Sequence, residues 1–233
     1  MSTHILADSA NTSPWYFWGY FMDHRKEDLG WLWDHTWLSV VPVVVGLLIA
    51  LPLGWLARRY KWVYPPMMSI TGLLYTIPSI ALFVLIPPLF GLDVLSPLQV
   101  PIALTIYSVA LLVRTVADGL GSVSEETLQA ATAIGYKPLG RFFKVELPIA
   151  VPVITAGVRV AVVSSVSITA VAGTIGMANL GALFDQGFKL STTSPYYPPI
   201  VLGILLCVLL ALVLDALVLL ITRALTPWRK AVR

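Results

Sequence analysis

Arg159 and Asp215 are the two ionisable side chains set deepest in long apolar runs, Arg159 about ten residues into one and Asp215 about seven before the end of another. At membrane depth such groups are tolerated only against a partner or a wet cavity. With a rise of ~1.5 Å per residue, both lie on the order of 10 to 15 Å from the same end of their runs, so they can meet. The plain reading is an interhelical ion pair; the functional one is a polar point on a solute pathway.

Hydrolytic chemistry has no candidates. A phosphate-cradling G-x-x-x-x-G-K-[ST] loop must follow a strand, and the nearest match, beginning Gly135-Tyr136-Lys137-Pro138, lacks both the Lys and the hydroxyl. There is no HExxH and no GxSxG. His4, His24 and His35 are too dispersed for a metal centre, and the single cysteine, Cys207, allows neither a disulfide nor a CxxC site. The chain is therefore expected not to be an enzyme and to hold no cofactor or metal of its own.

Elements that could carry deep charges are evident in the composition. Of 233 residues 58% are hydrophobic and only 12% charged, and the mean hydropathy is +0.84. That places the chain in the membrane class. The net charge of +3 does not indicate a nucleic-acid partner, because the Lys and Arg residues are scattered between apolar runs. The expected fold is an all-α polytopic transmembrane bundle of about five spans, at residues 37–57, 65–90, 98–117, 149–172 and 199–222. Pro78 and Pro87-Pro88 interrupt the second.

Cytoplasmic ends collect Lys and Arg. With the N-terminus outside, the inner side holds Arg58, Arg59, Lys61, Arg114, Lys137, Arg141, Lys144, Arg223, Arg229, Lys230 and Arg233, and the outer side only Arg25, Lys26 and Lys189. The expected topology is thus N-out and C-in. It divides the chain into an external segment (1–36), a transmembrane domain (37–222) with a cytoplasmic loop at 118–148, and a basic tail (223–233). The external segment has no basic n-region of a cleaved leader. Its aromatic cluster, Trp15-Tyr16-Phe17-Trp18 with Tyr20 and Phe21, is interleaved with charges and suits the headgroup layer. A docking surface for an external partner is the alternative.

Within the cytoplasmic loop, Ser122 or Ser124 is placed to cap a short helix that has Glu125 and Glu126 in its first turn, where negative charge suits the dipole. Gly135 suits a left-handed stop and Pro138 blocks a restart. Leu128, Ala131 and Ile134 fall on one face. So short a helix is marginal unless packed on something, either the membrane surface or a partner.

Gln129-Ala130-Ala131, then three residues, Gly135, and later Leu147-Pro148, resembles the EAA loop of ABC importer permeases, with Gln129 where that pattern has Glu. Gln keeps the hydrogen-bonding capacity and loses the charge. The resemblance extends over most of the chain from the second span onward. Leu74-Tyr75-Thr76-Ile77-Pro78-Ser79, Ile86-Pro87-Pro88-Leu89-Phe90-Gly91 and Ala156-Gly157-Val158-Arg159 are similar to the glycine betaine, carnitine and choline permeases. It implies a prokaryotic cytoplasmic-membrane subunit whose loop is a coupling helix seated on a cytoplasmic ABC ATPase, which holds the ATP and Mg²⁺. It also implies a second permease, identical or homologous, and a separate external binding protein that does most of the substrate selection. A permease for another small solute such as an amino acid, or an ion-coupled secondary carrier, are the competing expectations.

Overall fold

The computed structural model describes residues 13–93, 96–190 and 196–227. Among these residues all regular structure is helical. In an apolar layer each backbone N–H and C=O must find its partner within the segment, and the long runs free of turn residues satisfy this as helices. A short 3₁₀ turn, Pro14–Tyr16, leads into α1 (Phe17–Arg59), followed by α2 (Tyr64–Thr76), α3 (Ser79–Phe90) and α4 (Gln99–Gly121). The loop helices are α5 (Glu125–Ala133) and α6 (Pro138–Arg141). A π-helical turn, Phe142–Glu146, leads into α7 (Leu147–Val171), which tightens into a 3₁₀ turn at Ala172–Ile175; α8 (Ala182–Leu190) and α9 (Pro198–Leu225) complete the chain.

Among the described residues four helices are long and apolar enough to cross a membrane, and the bent pair α2 and α3 makes a fifth crossing if it counts as one. Three expectations change. The first helix begins at Phe17, not near residue 37, and its 43 residues extend about 65 Å at ~1.5 Å per residue. The aromatic cluster is its first turns, continuous with the span. The second span is broken at Ile77-Pro78 with a bend of 104°, because Pro78 has no N–H to give and forces its predecessor out of the helical region. Pro87 and Pro88 stay inside α3, which stops at Gly91 with φ +64°. Finally, α8 lies between the last two spans, where the sequence reading placed no helix.

α4 is the central post. Leu112, Val113, Val116 and Leu120 are almost completely buried between α1, α2 and α7. α9 lies at the periphery and turns Leu205, Val208, Leu209 and Leu212 outward, as a lipid-facing helix does. Close approach of α1 to α4 depends on small residues. A Cβ on Gly54 would stand 2.6 Å from Val116 Cγ1 and 3.1 Å from the Ala117 backbone nitrogen. Gly54→Leu is expected to cost about 1–3 kcal/mol by overpacking, seen as a lower thermal transition in detergent, whereas Gly72→Leu, where a Cβ meets open space, leaves the transition in place.

Gly157, Ala161, Ser165, Thr169 and Gly173 recur every four residues and form a small-residue ridge along the fourth span. Gly157 lies against Thr115 of α4 and Gly173 against the backbone of Gly181. Ser165 Oγ donates to the Ser39 carbonyl at 2.9 Å, and Ser39 Oγ to Thr169 Oγ1 at 3.1 Å. The ridge therefore packs α7 on α1 and α4 within one chain.

Candidate coupling and translocation site

The loop helix α5 is built as its residues dictate. Ser124, not Ser122, is the cap, its Oγ accepting from the Thr127 N–H at 3.3 Å, and Glu125 and Glu126 occupy the first turn. At the other end the Gly135 and Tyr136 N–H groups return to the carbonyls of Thr132 and Ala131. This closure needs the left-handed Gly135, at φ +94°. Pro138 then opens α6.

α5 is tied to the bundle from two sides. Arg58, at the end of α1, reaches Glu125 at 3.3 Å. Arg141 lies between Glu146, 2.7 Å from its Nε, and Thr132 Oγ1, 3.0 Å from its Nη1. Glu146 is buried and immediately precedes Leu147-Pro148, the first turn of α7. One guanidinium thus joins the loop helix to the foot of a long span. Arg58, Arg59, Lys61 and Arg141 border one cleft of about 360 Å³ there.

The outward side of the loop carries apolar residues among polar ones. Gln129, Ala130, Ala133 and Gly135 are exposed, whereas Ala131 is buried against the chain. Ile134 leaves the face expected for it with Leu128 and Ala131: it is the C-cap residue and is 77% exposed, and Leu139 and Phe143 later in the same loop are also largely exposed.

Deeper in the bundle, Arg159 of α7 and Asp215 of α9 meet side by side. Nε donates to Oδ1 at 2.6 Å and Nη2 to Oδ2 at 2.8 Å. This fork-to-carboxylate geometry is the strongest form of such a bond. The structure brings these two together; Gln129, Ala130 and Ala131 lie on α5 with Gly135 just past its end, and Leu147 and Pro148 open α7.

Other polar residues escaped the sequence reading. Asp28, one of the charges interleaved with the aromatic segment, is buried, and neither carboxyl oxygen has a hydrogen-bond partner among the described residues. His35 is fully buried and donates from Nε2 to the Val166 carbonyl at 3.0 Å. Tyr107 donates to the Ile77 carbonyl at the break between α2 and α3. Pro78 signalled that break, but its partner on α4 had no signal at all. His4, Arg229, Lys230 and Arg233 lie outside the described residues.

Residues 31–227 match the family described as binding-protein-dependent transport system inner membrane component. The chain belongs to that family. It is 36% identical to the osmoprotectant import permease protein OsmW of Salmonella typhimurium over 89% of this chain and 96% of that protein. It is 31% identical to the choline transport system permease protein OpuBB of Bacillus subtilis over 84% of this chain and 87% of that one. Among solved structures, an inward-facing form of the MetNI methionine ABC transporter superposes with a TM-score of 0.75 at 21% identity, covering 88% of this permease and 98% of that chain. That last likeness is one of fold. The permease is a multi-pass inner-membrane subunit of an ABC importer.

Proposed function

We propose that the permease moves osmoprotectants of the quaternary ammonium class, such as choline and glycine betaine, with ATP and Mg²⁺ held by a partner ATPase. The observation that carries this is the end-to-end match to relatives named for osmoprotectant and choline transport. The working unit is two permeases, identical or homologous, two ATPases and a separate external binding protein, set in lipid with the N-terminus outside and the C-terminus inside. That orientation puts the cleft of Arg58, Arg59, Lys61 and Arg141 on the cytoplasmic side, in keeping with the bias of basic residues.

In this reading α5 is the coupling helix. Ala130, Ala133 and Ile134 meet the ATPase, Gly135 holds the turn that presents them, and Gln129 supplies an uncharged polar contact. Closure of the ATPases draws α5 inward, and the Thr132–Arg141–Glu146 linkage passes that displacement to Leu147-Pro148 and so to α7. The spans act as a two-state element biased by contacts that differ between its states. Arg159 and Asp215 brace α7 on α9 during the motion.

Vesicles holding the permease with its ATPase and binding protein test this. Labelled choline or glycine betaine is expected to accumulate only with ATP inside and binding protein outside. Uptake that ignores ATP and collapses with a protonophore would assign a secondary carrier instead. ATP-driven uptake of amino acids alone would move the substrate class.

A further inference from the structure

The chain bends by 104° between α2 and α3 within an apolar stretch, and polar backbone freed there must meet protein or water. Tyr107 of α4 takes the Ile77 carbonyl with its hydroxyl. Its ring meets that of Tyr75 edge to face, with centroids 5.8 Å apart and planes at 89°. Tyr107 is 5% exposed and Tyr75 is 43% exposed: one ring is fixed in the bundle and holds the other at its rim. Ser108, Ser164 and Ser165 border the crevice behind them. The crevice offers about 10 Å³, room for one water and not for a solute. The exposed ring at this point is that of Tyr75.

No residue bordering that crevice is charged at neutral pH. A quaternary ammonium group has no N–H, so hydroxyls and carbonyls cannot accept a hydrogen bond from it, whereas an aromatic face attracts it through the ring quadrupole. An aromatic contact without a carboxylate also lets go, as a pathway requires. We infer that Tyr75, positioned by Tyr107, is a contact for quaternary ammonium groups during passage, a second discrimination at the membrane beyond that of the binding protein. This rests on the function proposed above and names the residue that would carry it.

The test uses the complete importer in vesicles with labelled choline and glycine betaine as probes, counting substrate moved per ATP hydrolysed. Tyr75→Leu is expected to lower that ratio about tenfold, and Tyr75→Phe, which keeps the ring, to recover most of it. Phenylalanines bearing one to three fluorines at position 75 keep the ring's shape and drain its face of negative charge, so the ratio should fall with each fluorine. Tyr107→Phe, which frees the Ile77 carbonyl, should lower the ratio without steepening its dependence on fluorine. If the unaltered importer moves neither probe with ATP, the transport reading fails and this contact with it. If it does move them while Tyr75→Leu matches it, or the fluorine series is flat, the contact alone is overturned. Because the series preserves shape, it decides the matter even if Tyr75→Leu fails to assemble.

Discussion

Arg159→Leu or Asp215→Asn, made singly, is expected to reduce ATP-driven uptake at least tenfold and to lower the yield of assembled complex. Each leaves one member of a partly exposed bidentate pair, closed at 2.6 and 2.8 Å, within an apolar span without its counter-charge. Breaking such a pair is far more damaging than removing it whole, since a lone charge must be neutralised, hydrated or moved. The double variant Arg159→Leu with Asp215→Leu is therefore expected to regain assembly, measured by gel filtration in detergent, and a large part of uptake. The charge swap, Arg159→Asp with Asp215→Arg, should recover less, because a guanidinium fork built on α9 must find its carboxylate from a different backbone. A double variant that assembles fully yet transports nothing would show that the pair serves the solute, not the bundle.

Ile134→Asp is expected to abolish ATP-driven uptake, by tenfold or more, while the permease still inserts and keeps its thermal transition. Ile134 is 77% exposed on this chain, so the carboxylate costs the isolated subunit nothing in packing. In the assembled importer the same carboxylate would be desolvated against the ATPase, and an unpaired buried charge is not tolerated. Co-purification of the ATPase reads this directly. Gly135→Val tests the presentation of Ile134: at φ +94° a β-branched residue is strained, and the Thr132 and Ala131 carbonyls lose the N–H groups that close the helix. Co-purification undiminished by either change would remove α5 from the ATPase interface.

The helical class and the number of apolar segments follow from composition and run length alone, because a lipid-solvated backbone has few ways to satisfy itself. Local chemistry was equally legible: a serine cap at 122 or 124, acids in the first turn and the stop at Gly135 act on backbone close by in the chain, so caps and stops need no tertiary information, although the pairing of Glu125 with Arg58 does. The meeting of Arg159 with Asp215 could be anticipated as well, since depth is counted in residues and charges at one depth have few other partners.

Side-chain facing is another matter. Ile134 had the spacing of a buried position and is exposed because the helix ends one residue earlier; Asp28 stands among the charges interleaved with the aromatic segment and is buried. The ridge of Gly157, Ser165 and Thr169 could have served any neighbour, and only the packing of α7 on α1 and α4 assigned it. Arg141 bridging Thr132 and Glu146 depends on a π turn that no periodicity announces. Tyr107 capping a carbonyl 30 residues away depends on how α4 stands beside a broken helix. Element type, charge depth and capping are local or one-dimensional properties and were determined by the sequence itself; which faces meet depends on the docking of helices distant in the chain, and that only the tertiary structure decided.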